Sequence, residues 1–184
     1  PETLDDEGPN AEALLRVAAI RQIWKLGDGA TATLSVEDPS SDLTLGAGQI
    51  SAQPAPDVAG ALRLERPWGH VQASAVLRQI GYSEGNRDES ALGYGLSLSS
   101  LVKLGGDFAM AGVTYGDGVA RYFNDLGGRG YDALIQPDGY VRTLSAYGGY
   151  LGYTRHWSPR WRSNLVGGLV VLERDDLLIP TAFR

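Results

Sequence analysis

The sequence predicts an all-β chain: an antiparallel up-and-down meander of eight strands, of the transmembrane β-barrel class. Three observations predict it. Hydrophobicity alternates with a period of two along most of the chain, whereas helical periodicity is rare. Tight turns rich in Gly, Pro and Asp recur between the alternating runs. All four tryptophans lie beside or within those tight turns.

The alternation is clearest in three segments. Over 30–37, Ala32, Leu34 and Val36 oppose Thr31, Thr33, Ser35 and Glu37. Over 71–78, Val71, Ala73, Ala75 and Leu77 oppose Gln72, Ser74, Val76 and Arg78. Over 93–103, Tyr94, Leu96, Leu98 and Val102 face away from Gly93, Gly95, Ser97, Ser99 and Lys103. Segments 13–26, 57–66, 108–115, 146–157 and 161–173 carry weaker versions of the pattern. Ala, Leu and Arg dominate the first of these and would also suit an amphipathic helix; its neighbours argue for a strand.

The connections set the architecture. Gly27-Asp28-Gly29, Pro67-Trp68-Gly69, Gly105-Gly106-Asp107 and Ser158-Pro159-Arg160 read as tight turns. Between the hairpins so formed lie the polar stretches 38–56, 79–91 and 116–145, expected to be long loops. Short links at one edge and long links at the other are the layout of an outer-membrane barrel. Indole rings favour the headgroup boundary, so Trp24, Trp68, Trp157 and Trp161 are expected to form an interfacial girdle. Tyr82, Tyr94, Tyr115 and Tyr147 would form a second row at the long-loop edge.

Composition narrows the function classes. The chain has 184 residues, one domain's worth, and no run of about 18 apolar residues that could make a transmembrane helix. It begins at Pro1, without an initiator Met or an apolar leader, as expected of a mature form or a piece of something longer. The absence of cysteine removes disulfide scaffolds and thiolate metal sites. A formal net charge of −6 disfavours nucleic acid as a partner. His70 and His156, the two histidines, have no companion ligands at metal spacing. There is no Gly-x-Ser-x-Gly elbow, and Gly116-Asp117-Gly118 lacks the third glycine of a dinucleotide loop. Neither a catalytic site nor a cofactor is expected.

The polar parity does carry a chemistry. Fourteen of the 16 basic residues are arginine, with Lys25 and Lys103 the exceptions. A planar guanidinium holds a carboxylate through two parallel hydrogen bonds, which an ammonium cannot do. Arg21, Arg63 and Arg78 fall on the polar parity and are expected to face a lumen. Arg121, Arg129 and Arg142 lie in the long connection 116–145, which could fold inward; pairing with Asp117, Asp125, Asp132 and Asp138 is the alternative. Glu65, two residues after Arg63, either opposes it across the lumen or sits at the short-turn rim, the favoured reading.

Several strings together resemble one family. Pro1-Glu2-Thr3-Leu4-Asp5 with Glu7-Gly8-Pro9-Asn10, Glu37-Asp38-Pro39-Ser40-Ser41, Trp68-Gly69-His70, and Tyr115-Gly116-Asp117-Gly118 continuing to Arg121-Tyr122 are similar to the DcaP-like trimeric outer-membrane porins. Tyr147-Gly148-Gly149-Tyr150 and His156-Trp157-Ser158-Pro159-Arg160 are similar to them too. The strings follow a consistent order over nearly the whole chain. The resemblance implies a wider barrel of some sixteen to eighteen strands, of which this chain would be an internal segment. It implies a homotrimer in the lipid of the bacterial outer membrane. It also implies passive passage of small anionic, dicarboxylate-like solutes held by arginines. Strands before Pro1 and after Arg184, and an aromatic final strand, are expected of the family and are not in this sequence. A soluble or closed eight-stranded barrel, structural or binding a small ligand, is the competing reading.

Overall fold

The structure is a computed structural model and describes residues 11–13 and 15–173. The similar string at 1–10 and the tail 179–184 therefore lie outside the described residues. Eleven strands form: β1 (Ala19–Gly27), β2 (Ala30–Glu37), β3 (Gln49–Ser51), β4 (Asp57–Arg66), β5 (Gly69–Glu84), β6 (Arg87–Leu104), β7 (Asp107–Asp117), β8 (Ala133–Ile135), β9 (Val141–Thr143), β10 (Ser145–Ser158) and β11 (Trp161–Leu172). Eight of them make an antiparallel wall in the order β1-β2-β4-β5-β6-β7-β10-β11, each the neighbour of its sequence neighbour. This is the expected meander. Among the described residues β1 and β11 do not pair with each other, so the sheet has two open edges.

Register sorts the residues onto two faces, because successive side chains along a strand alternate. One row across the wall reads Trp24, Ala32, Leu62, Ala73, Leu98, Val113, Gly149 and Leu169. Its neighbour on the same face includes Leu34, Leu96, Tyr115, Tyr147 and Val171. These side chains are bare: Leu151 is 71% exposed, Leu165 77% and Leu169 69%. The other face carries Lys25, Thr31, Arg63, Gln72, Ser99, Gly112, Tyr150 and Gly168 in a single row. A soluble barrel would turn its apolar face inward; here the loops cover the polar face and leave the apolar one open.

The same register shows that the strands are sheared. Lys25 lies close to the first short turn at Asp28, whereas Tyr150, in the same row, is far up its strand from the last short turn at Pro159. Tilted strands and a staggered register are what curving a sheet into a barrel requires. A strand of about 9–11 residues tilted near 45° crosses a bilayer core, and the wall strands have that length or more except β2, which has 8 residues. Among the described residues no helix is long and apolar enough to cross a membrane.

The four short turns form where expected. Two of the expected boundaries change. The first strand begins at Ala19 rather than at 13, so the run before it is not strand. The stretch 79–91 is not a long loop: β5 and β6 continue through it as a paired hairpin to a two-residue turn at Gly85-Asn86, with Gly85 at φ +60°. Beyond the membrane band both faces of a hairpin can be polar, so Ser83, Glu84, Arg87, Asp88 and Glu89 hide the alternation. The strict alternation of short and long links is corrected accordingly. The other two connections are long, and each contains structure: β3 extends the sheet beside Tyr82–Glu84, and β8 pairs with β9.

Tryptophan placement follows the expected edge, with Trp24, Trp68, Trp157 and Trp161 between 42% and 75% exposed beside the short turns. Tyr94, Tyr115 and Tyr147 sit on the apolar face toward the other edge, the first two with ring centroids 6.3 Å apart. Tyr82 does not join them. It is buried on the polar face, where its hydroxyl donates to the carbonyl of Gly139 at 2.8 Å.

Candidate functional site: the loop-covered inner face

Both long connections fold onto the polar face and bind each other there. Leu43 bridges to Tyr131 and Ala133, and the Asp42 carboxylate accepts from the backbone N–H groups of Arg129 (3.1 Å) and Gly130 (2.9 Å). Val119 and Phe123, fully buried, pack with Ala146, Val76 and Val170 of the wall. Glycine makes the approach possible. A Cβ at Gly95 would stand 3.0 Å from Val119, and one at Gly148 would stand 3.0 Å from the Phe123 ring.

Beneath the loops lies a buried ion cluster centred on Arg78 of β5, whose side chain is 0% exposed. Its Nη1 donates to Asp132 Oδ2 at 3.0 Å and to the Gly118 carbonyl at 2.8 Å; its Nη2 donates to the Ser40 carbonyl. Nε stands 3.4 Å from Asp57 Oδ2, outside hydrogen-bond geometry. One guanidinium therefore ties both long connections and β4 to β5. Asp132 adds two more ties, accepting from the N–H of Arg121 at 2.9 Å and of Asp42 at 3.0 Å. Burial raises the Asp132 carboxyl above its usual range, against the opposing pull of Arg78. Tyr122 lies between two cations, its ring 5.5 Å from the Arg78 guanidinium and 5.7 Å from that of Arg121. Burial pushes its phenol up to about 12, so it stays a donor toward Asp57 Oδ2 at 3.4 Å.

The six arginines singled out in the sequence are thus distributed unequally. Arg21 and Arg63 lie on the inner face, Arg21 exposed and Arg63 ion-paired along its strand with Glu65 at 3.0 Å. Glu65 itself stands near the short-turn rim, more than half exposed. Arg78 is on the same face yet sealed under the loops, where it holds them rather than meeting solvent. Arg121 contacts the Ser40 carbonyl and reaches within 4.0 Å of Asp57. Arg129 and Arg142 are exposed on the loops. Sequence reasoning missed the clamp. Its signal was a mid-strand arginine on the polar parity, but nothing local points from residue 78 to residues 57 and 132.

A sheared antiparallel wall, bare and apolar on one face, polar and loop-covered on the other, with tryptophans along the short-turn edge, defines the β-barrel porin fold. Comparison with models of protein families and with curated proteins finds no match. Among solved structures, the crystal structure of the outer membrane channel DcaP of Acinetobacter baumannii matches with a TM-score of 0.81 and 19% sequence identity. The match covers 94% of this chain and 49% of that one, so the chain spans about half the length of that channel. At this identity the likeness is one of fold, and at that level the resemblance read from the sequence strings holds.

Proposed function

We propose that the chain is part of the wall of a bacterial outer-membrane channel that passes small hydrophilic solutes by diffusion and prefers anions. The observation that carries the preference is the concentration of positive charge on the inner face of β1 and β4. Lys25 and Arg63 share one register row through Thr31, and Arg21 lies two rows along. Glu65 offsets part of this charge, while the acidic residues around Arg78 are buried and already matched. Cations lining a narrow passage raise the local concentration of anions.

The open edges bear on the rest of the channel. Unpaired backbone N–H and C=O groups at an edge cost several kcal/mol each in hydrocarbon. On this reading β1 and β11 pair with further strands, which complete a barrel of the width the resemblance implies. A homotrimer, and dicarboxylate-like solutes gripped by Arg21 and Arg63, belong to the same proposal and rest on that resemblance. Passive diffusion needs no catalytic group, and the proposal assigns none.

Reversal potentials in a potassium chloride gradient, measured on the full-length protein in planar bilayers, test the preference. Chloride is expected to be the more permeant ion, and Arg21→Ala with Arg63→Ala to move the ratio toward unity. Equal permeability to the two ions, unchanged in the double variant, would overturn the anion preference.

A further inference from the structure

The inner face is not uniformly charged. Away from the cationic flank, the row next to Lys25 and Arg63 reads Thr33, Ala61, Ser74, Ser97, Thr114 and Gly148 across β2 to β10. Three hydroxyls thus stand side by side on β5, β6 and β7, repeating at the interstrand spacing of about 4.8 Å. They form the floor of a cavity of about 250 Å³ whose remaining lining is mostly apolar, with Leu15, Ala59, Val76 and Val119, and is completed by Tyr122 of the folded-in loop and Glu37 of β2.

Thr114 Oγ1 and Ser97 Oγ are hydrogen-bonded at 2.9 Å, and since each hydroxyl can donate or accept, one proton of the pair is left to be given elsewhere. Ser74 Oγ has no hydrogen bond among the described residues. Glu37 takes the Ser35 hydroxyl at 2.7 Å on one carboxylate oxygen, and a carboxylate has several further acceptor positions. The lining includes no Lys, Arg or His. Arg78 and Arg121, the cations at the Tyr122 ring, are engaged by Asp57, Asp132 and the Ser40 carbonyl. An anion entering here would meet Glu37 and no cation within the lining. A solute with many hydroxyls would meet donors and acceptors along the floor, and its C–H faces would meet the Tyr122 ring and the aliphatic walls.

We infer that this cavity under the loop is a subsite for a neutral polyhydroxylated solute, distinct from the cationic flank on β1 and β4. It goes beyond the channel reading but rests on it in one respect: the inner face must be reachable from solvent.

The test is equilibrium dialysis of the detergent-solubilised full-length protein against radiolabelled sorbitol, together with sorbitol block of single-channel current. Saturable binding and concentration-dependent block are expected. The variant carrying Ser74→Ala and Ser97→Ala should weaken both by about tenfold, the effect of losing two neutral hydrogen bonds. Binding that never saturates, or that the double variant leaves unchanged, would overturn the inference. So would displacement of sorbitol by succinate or putrescine at equal concentration, since the site would then be selecting charge. A conducting channel that sorbitol neither enters nor blocks refutes the subsite and leaves the channel standing. If no current is found, the dialysis still decides the subsite.

Discussion

Replacing Arg78 by alanine is expected to release both long connections from the inner face and to cost about 3–5 kcal/mol of stability, the usual range when one partner of a buried ion cluster is removed. The reason lies in what remains. Asp57 is 2% and Asp132 0% exposed, and without the guanidinium both would stay buried with little to balance them. The Gly118 carbonyl would lose its donor as well, and the Ser40 carbonyl would keep only Arg121. Asp57 Oδ1 has no hydrogen-bond partner even in the intact cluster, so this corner has no slack to absorb a second loss. Urea unfolding in detergent measures the stability, and open-channel current should rise as the loops leave the lumen. The pH dependence has a definite sign. A carboxyl whose folded-state pKa is raised destabilises the fold when ionised. Its contribution is favourable below the unfolded pKa and is lost as pH rises through the folded one. Burial already raises Asp132, and losing Arg78 removes the main opposing pull. The deficit of the alanine variant should therefore be largest at neutral pH and shrink in acid. Arg78→Lys should recover only part of it, because an ammonium cannot reach Asp132, Gly118 and Ser40 at once. A variant whose stability and current match those of the unaltered protein would show that the cluster does not hold the loops.

The wall was legible in the sequence and the loops were not, for physical reasons visible in particular residues. Alternation is a local signal set by the two environments of a single strand, so Leu34 against Ser35, or Leu98 against Ser97, declare their faces without reference to anything distant. Turn chemistry is equally local, and Gly27-Asp28-Gly29 forms the hairpin it predicts. Where the hairpin of β5 and β6 leaves the apolar band, that contrast of environments disappears; the remaining clue was the turn pair Gly85-Asn86. The inward packing of the loops depends on contacts between residues far apart in the chain, such as Phe123 against Gly148 and Asp42 against Arg129 and Gly130. Even so, the glycines of the inner face carried a hint. Gly93, Gly95, Gly116 and Gly148 lie on the parity that should hold polar side chains in a wet lumen, and bare backbone there marks where another segment packs closely. Parity puts Arg78 on the inner face with Ser74 and Gln72, but parity cannot tell a side chain that meets solute from one that anchors a loop.

The largest expected contrast between adjacent positions separates the membrane reading from the soluble one. Leu98 lies on the apolar face of β6 between Ala73 and Val113 and is 49% exposed. Ser99, the next residue, lies on the opposite face between Gln72 and Gly112. If the apolar face meets lipid, Leu98→Arg places a guanidinium in hydrocarbon at a cost of about 2–4 kcal/mol near the bilayer midplane. Ser99→Arg places the same group over the polar face, where water and the hydroxyl row can solvate it, and should fold almost as well as the parent. Folding of the full-length protein into phospholipid vesicles, followed by urea titration and by the heat-dependent shift in gel mobility, measures both. The expected result is a strong folding defect for Leu98→Arg alone, with Ser99→Arg showing altered current instead. A soluble barrel reverses the prediction. Its exposed leucines would face water, so Leu98→Arg would be harmless and the protein would unfold cooperatively in plain buffer without detergent. Equal folding of the two variants would remove the lipid-facing assignment and the porin reading that depends on it. The comparison is sharp because backbone position, strand and introduced side chain are nearly the same in the two variants, and only the face differs.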